Sequence, residues 1–359
     1  AIVILFVLAL VIVFCIGMKF SGKNKFFEDY CSPVDTGMVN GIFSMLIFLS
    51  HSAGYLTLEG GLHTPYLSIV NLLGQFVVAT YLFYSGFGIM SSYKKKGTDY
   101  IKSIPFYRLF RTWYHFVIVV LIYIVVYVGI CGRRYPVWEI LLAFTGLTSV
   151  GNSNWYMFVT FAMYILLVVA FLVFKKSTVK ATVAFTILVL ALAIAEYAGG
   201  LTARWYNTIF CFPAGMVFAL LKPRIDNILM KSDRNWGIGV GCCIALIALV
   251  FSVRYKSVII YNVFSILGVL LISVLMMKIR TGNKILGWFS NHIFSFFILQ
   301  RIPMLLMRRF GYNKNAYIFV IVSFVVTILL SIIFDKCMDK LDGIIFQKRT
   351  KKPKEKIKA

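Results

Sequence analysis

Charged side chains are scarce in this chain of 359 residues. Asp, Glu, Lys and Arg together make up 14% of it, whereas a water-soluble domain carries about 25%. Acid is scarcest, with 13 Asp and Glu against 37 Lys and Arg and a formal charge of +24. Hydrophobic residues fill 60% of the chain, above the roughly 45–50% of soluble domains. These values exclude a soluble enzyme, a nucleic-acid-binding domain and a disordered chain. The apolar–polar alternation of a membrane β-barrel is missing too, because runs such as AIVILFVLALVIVF and FVIVVLIYIVVYV are continuous. The seven cysteines form no CxxC and suit neither a zinc site nor a disulfide framework. The four histidines stand far apart with no HExxH partner, so no metal site is expected. There is no Walker loop, no GxSxG elbow and no strand-borne GxGxxG. The GxG at Gly86 to Gly88 lies inside an apolar run. No internal repeat and no soluble second domain are visible.

What is present is apolar length. Spanning the ~30 Å hydrocarbon core takes ~20 apolar residues as a helix. The chain reads as an all-α, polytopic membrane helical bundle of about eleven transmembrane helices. They are expected near 1–18, 38–57, 69–91, 113–131, 154–174, 181–198, 206–221, 236–253, 258–277, 286–306 and 316–335. The first lacks a small-residue cleavage site, which favours a membrane helix over a removed signal peptide. The chain opens on Ala1 rather than methionine, so an upstream start is expected. The stretch 137–150 is too short for a span, carries Glu139, and is expected to be re-entrant or interfacial. The domain reading is therefore an N-terminal transmembrane helix (1–18), a cytoplasmic loop (19–37), a membrane domain (38–335) and a basic cytoplasmic tail (336–359).

The loops predict the orientation. Alternate loops and the tail hold 28 of the 37 Lys and Arg, and the opposite set holds eight. The positive-inside rule puts the first set in the cytoplasm, with the N-terminus outside and the C-terminus inside the cell membrane. The high positive charge is thus assigned to orientation, not to nucleic acid. The terminal KRTKKPKEKIKA lacks apolar periodicity and is expected to be solvated, drawn to anionic membrane lipid.

Polar residues inside the spans are the candidates for chemistry, because they are expensive in lipid. In MVNGIFSMLIFLSHSAGYL, Asn40, Ser44, His51 and Tyr55 fall on one helical stripe. From Asn40 to His51 is three turns plus about 20°, a rise of ~16 Å. A neutral imidazole there can take a proton from a hydroxyl and return it, or simply hydrogen-bond between helices. The third span holds Gln75, Tyr84 and Ser85, with Gly74, Gly86 and Gly88 placed for close helix approach. Arg108 and Arg111, spaced i, i+3, share a face at the cytoplasmic boundary. Guanidinium forks of this kind bind phosphate or anchor the helix end. Trp155 and Tyr156 start a span as an aromatic belt would. Gln300 and Arg301 lie deep in an apolar run before Pro303, and Arg301 there needs a partner or a polar cavity. Glu196 and Glu59 are candidate partners.

GIFSMLIFLSH (41–51), LGQFVVATYLFYSGFGIMSSYKKKG (73–97), YIKSIPFYRLFR (100–111), NWYMF (154–158) and ILQRIPM (298–304), in that order, resemble the acyltransferase-3 family of integral membrane acyltransferases, more narrowly its group from Gram-positive bacteria. The likeness runs from about 38 to 335. It implies a ten-helix acyltransferase core preceded by one extra helix. It also implies acyl transfer, usually acetyl, from acetyl-CoA as co-substrate to a sugar hydroxyl of a cell-surface glycan or its lipid-linked precursor. The family's histidine falls on His51, its paired arginines on Arg108 and Arg111, and its SGF element on Ser85, Gly86 and Phe87. His51 is then the general base or acyl relay, and Arg108 and Arg111 hold donor phosphates. Gln75, Ser85, Trp155, Tyr156, Gln300 and Arg301 line the cavity. The family often has Arg or Lys where this chain has Asn40, and many members have a histidine where this chain has Gln300.

Two other functions fit a polar membrane cavity. A transporter or flippase of a lipid-linked sugar would need no basic cytoplasmic pocket, and the missing inverted repeat weighs against it. A glycan polymerase or ligase would usually need larger outer loops. With loops this short, a separate secreted partner is expected to present any polymeric acceptor.

Overall fold

A computed structural model describes residues 2–56, 68–70 and 73–347. Fourteen helices account for about three quarters of them: α1 (Ile2–Cys15), α2 (Pro33–Ala53), α3 (Phe76–Lys96), α4 (Thr98–Ile130), α5 (Val137–Ala143), α6 (Trp155–Val173), α7 (Thr178–Ala198), α8 (Cys211–Leu229), α9 (Asp233–Phe251), α10 (Val258–Met276), α11 (Lys284–Asn291), α12 (Ile293–Leu299), α13 (Arg301–Arg309) and α14 (Ala316–Gln347). Among the described residues, seven helices are long and apolar enough to cross a membrane: α2, α4, α6, α7, α9, α10 and α14. The other four expected spans coincide with the short α1, with α3 and α8, whose cationic ends lower their apolarity, and with the interrupted run α11–α13. A chain that must satisfy its backbone within lipid has only helices or closed barrels to choose from.

Local chemistry sets the helix starts. The Ser32 side chain accepts from the Asp35 amide at 3.1 Å, and Pro33 occupies the first helical position of α2, where its missing N–H costs nothing. Ser177, Ser232 and Ser257 cap α7, α9 and α10 in the same way. Asn283 serves two helices. Its carbonyl oxygen caps α11 at Leu286 N (2.9 Å), while its amide donates to the Val13 and Ile16 carbonyls at the end of α1 (2.7 and 3.0 Å). A two-residue antiparallel ladder, Lys19–Phe20 against Ile279–Arg280, ties the segment after α1 to the segment after α10.

At the centre α3 packs on α8 through reciprocal glycines. A Cβ on Gly86 would stand 2.0 Å from the Phe212 carbonyl oxygen, and one on Gly215 would stand 1.9 Å from that of Phe83. Gly88, expected to share this role, faces open space instead. Gly74 has φ +45° and stands just before α3, while residues 68–70 are helical as well, so the expected span 69–91 is interrupted at Gly74. α9 buries no side chain fully and lies at the edge of the bundle, where Trp236 Nε1 donates to the Val274 carbonyl of α10 at 2.8 Å.

One further expectation is corrected. The span 286–306 is broken at His292 and Gln300, and Pro303 sits in the first turn of α13, the position where proline is tolerated. α14 continues to Gln347 because Met338 is buried and Phe346 stacks on Phe106 and Tyr107, while the terminal residues 348–359 lie outside the described residues. α5 is seven residues long, a rise of ~10 Å that cannot cross a bilayer.

Candidate functional site

Two groups of contacts mark the ends of the bundle. At the lysine-rich end, Lys278 and Arg280 meet Asp233, Asp29 and Asp35, and Lys222 holds Asp226 at 2.6 Å. At the opposite end Asn313 Nδ2 donates to the Tyr55 carbonyl at 3.1 Å, closing the last turn of α2 onto the segment after α13.

A cavity of about 700 Å³ opens at that second end. Its walls are Ser50, His51, Gly54 and Tyr55 from the end of α2, Tyr127, Cys131 and Arg133 from the end of α4, and Arg301, Leu305, Arg308 and Arg309 from α13. His51, Tyr55 and Arg301, distant in sequence, therefore share one wall. The His51 ring is partly buried, with Nδ1 enclosed and without a hydrogen-bond partner, and lies 6.1 Å from the Phe297 ring. Arg301 Nε is likewise enclosed and unpartnered. Tyr123 hydrogen-bonds the Ile298 carbonyl at 2.9 Å, fixing α4 against the break between α12 and α13.

The other polar candidates lie behind this wall. Gln300 is fully buried, and its amide donates to the Phe297 carbonyl at 2.8 Å while Oε1 has no partner. Tyr156 packs edge-on to Phe297 (5.6 Å) and to Tyr81 (6.2 Å), and Trp155 packs edge-on to Tyr156. The Tyr81 hydroxyl donates to the Asn40 carbonyl at 2.9 Å, while Asn40 Oδ1 is enclosed and unpartnered. Ser44 is occupied by the Gly41 carbonyl (2.7 Å). Tyr84 pairs with Ser273 (3.1 Å), joining α3 to α10, and Ser85 is partly buried on α3. The Gln75 amide N–H donates to the Tyr261 hydroxyl at the rim of a separate surface groove of about 510 Å³.

Arg108 and Arg111 are not among the lining residues of the His51 cavity. Arg108 sits in a π-helical stretch, Pro105–Phe110, lies 5.8 Å over the Tyr100 ring and reaches Tyr164. Arg111 pairs instead with Asp342 of α14, its Nε donating at 2.6 Å, and the same carboxylate takes Tyr114 and His115. The shared face expected from i, i+3 spacing is not found, because the wider i→i+5 turn rotates the two side chains apart. From Arg111 to Tyr127 is sixteen residues, a rise of ~24 Å. Glu196 is buried on α7 with both carboxylate oxygens unpartnered, and among the described residues it forms no ion pair with Arg301. Glu59 lies outside the described residues.

The sequence reading missed Tyr127, Arg133, Arg308 and Arg309, counting the three arginines only as loop charges. One signal was available. Arg301 and Arg308 are seven residues apart, two turns less about 20°, and so share a helix face.

Comparison with known proteins gives one match. A family model described as an acyltransferase domain, Acyl_transf_3, matches residues 39–336. No curated protein and no solved structure matches the chain.

Proposed function

The chain belongs to the acyltransferase-3 family, as a multi-pass membrane acyltransferase, and from that premise we propose that it moves an acetyl group from acetyl-CoA to a sugar hydroxyl of a cell-surface glycan or its lipid-linked precursor. The observation that carries this reading is the placement of His51. It is an imidazole on a helix long enough to span the membrane, with Nδ1 free of hydrogen bonds and the ring facing a cavity large enough for a sugar.

The hydroxyl enters that cavity and gives its proton to a ring nitrogen of His51. Its oxygen attacks the thioester carbonyl, the carbon–sulfur bond breaks, and the thiol of coenzyme A leaves with the proton. In the relay variant the imidazole nitrogen first takes the acetyl group and then yields it to the hydroxyl. Tyr55 and Arg301 border the reacting centre and suit it to developing negative charge.

The donor approaches from the lysine-rich end, which the positive-inside rule makes cytoplasmic, with its phosphates on Arg108 and Arg111. The N-terminus is then outside and the C-terminus inside. Between the two ends, the unpartnered Asn40 Oδ1 and Gln300 Oε1 provide hydrogen-bonding atoms inside an otherwise apolar bundle. Ser44, Gln75, Tyr84, Ser85, Trp155 and Tyr156 belong to the same interior reading. A polymeric acceptor would be brought by a secreted partner.

The test is incubation of the purified chain, reconstituted in vesicles, with radiolabelled acetyl-CoA and membrane glycolipid. The expected result is label on the sugar, lost in His51→Ala. Full transfer by His51→Ala overturns the assignment. Movement of sugar across the bilayer without any labelling would instead support a flippase.

A further inference from the structure

The His51 cavity holds more positive charge than proton transfer at one histidine requires. Arg133, Arg301, Arg308 and Arg309 all border it, and among the described residues no Asp or Glu lines it. Among the described residues none of the four takes part in an ion pair. One of them, Arg301, keeps Nε enclosed with no partner. Arg301 is half-buried within the cavity and Arg133, Arg308 and Arg309 are exposed at its mouth, and like charges gathered about one opening repel. An arrangement of this kind is relieved by an anion. Guanidinium groups present a planar fork that matches phosphate oxygens two at a time. Arg301 and Arg308 stand on one face of α13, a rise of ~10 Å apart, which gives an elongated cationic wall rather than a single point of charge. His51 and Tyr55 border the same cavity from α2.

Resting on the acyl-transfer reading, we infer that the acceptor is a glycosyl phosphate. Its phosphate lies against Arg301, Arg308, Arg309 and Arg133 while a hydroxyl of the same sugar reaches His51. The charge then selects the acceptor by its phosphate, and the histidine acts on whichever hydroxyl the phosphate places beside it. Neutral sugars, which leave the four cations uncompensated, are poor acceptors.

The experiment compares binding of N-acetylglucosamine 1-phosphate and N-acetylglucosamine to the purified full chain in neutral phosphatidylcholine nanodiscs, without acetyl-CoA. The phosphate sugar is expected to bind about tenfold tighter or more, with affinity falling as salt rises. Arg308→Gln with Arg309→Gln should abolish that preference, and the charge-preserving Arg308→Lys with Arg309→Lys should keep part of it. The second pair separates loss of charge from loss of fold. Equal binding of the two sugars, or a preference undiminished in the glutamine pair, overturns the inference. A farnesyl-diphosphate-linked N-acetylglucosamine identifies the source of the phosphate. Tighter binding than the 1-phosphate assigns it to a lipid carrier, and equal binding to a soluble sugar phosphate. Adding labelled acetyl-CoA separates the two readings. Phosphate-dependent binding with no labelling of any sugar supports the phosphate site and overturns acyl transfer.

Discussion

At one end of the bundle Arg280 bridges Asp29 and Asp35, Lys278 meets Asp233, and the Tyr30 hydroxyl donates to Asp226 beside Lys222. At the other end four arginines gather around His51, with no acid among the described residues that line the cavity. The first arrangement consists of clips. It joins the segment after α1, the start of α2, the end of α8, the start of α9 and the segment after α10. Each clip is worth little in water-exposed surroundings, but together they fix which helix ends meet. The second arrangement joins nothing to nothing by charge, and its cations remain available to whatever enters. The same residue types thus do structural work where acids accompany them and offer a binding surface where acids are withheld.

Four substitutions test that contrast, in falling order of effect. His51→Ala should lower acyl transfer by about 10²–10⁴-fold and leave thermal unfolding in detergent little changed, since the ring makes no hydrogen bond through Nδ1. A large loss of stability would mean the histidine is structural. Gly215→Ala, midway between the ends, forces a methyl to 1.9 Å from the Phe83 carbonyl. It should cost about 1–3 kcal/mol or more, read as a lowered melting temperature. An unchanged melt would show that α3 and α8 can part freely. The same replacement made at both ends sharpens the comparison. Arg301→Gln should raise the acceptor KM about tenfold with little change in melting. Arg280→Gln should lower melting by up to about 1 kcal/mol with kcat and acceptor KM intact. If both variants behave alike, the two ends do not differ in role.

The smallest effect concerns pH. The hydrogen bond from Arg280 holds the Asp29 carboxyl below its ordinary value. Its contribution to stability is therefore full above the unfolded value of about 3.9 and is lost as pH falls through the lowered folded value. Melting followed from pH 6 down to pH 3 should show a slightly shallower decline in Asp29→Asn than in the parent chain.

Much of the bundle was legible in the sequence because lipid leaves few choices. Continuous apolar runs became helices near their expected places, and serine, asparagine and proline at helix starts acted locally. His51 and Arg301 stood out as expensive polar groups, and the structure brings them to one cavity. Arg133 did not stand out, because a loop arginine looks the same whether it faces water or a cavity. The divergence of Arg108 from Arg111 was equally hidden. It depends on a π turn at Pro105 and on Asp342, contributed by a helix more than 200 residues away. Glu196 shows the converse limit: it was marked as a partner for Arg301, yet it is buried on α7, apart from the cavity.

Composition and periodicity alone determined that this chain is a helical membrane protein and that its second span carries a histidine on a polar stripe. A backbone surrounded by hydrocarbon must close its own hydrogen bonds, and the residues in the run announce it. Which side chains meet that histidine was decided only by the tertiary structure. The cavity is assembled from the ends of α2 and α4 and from α13, and no local rule of spacing links three helices so far apart in the chain.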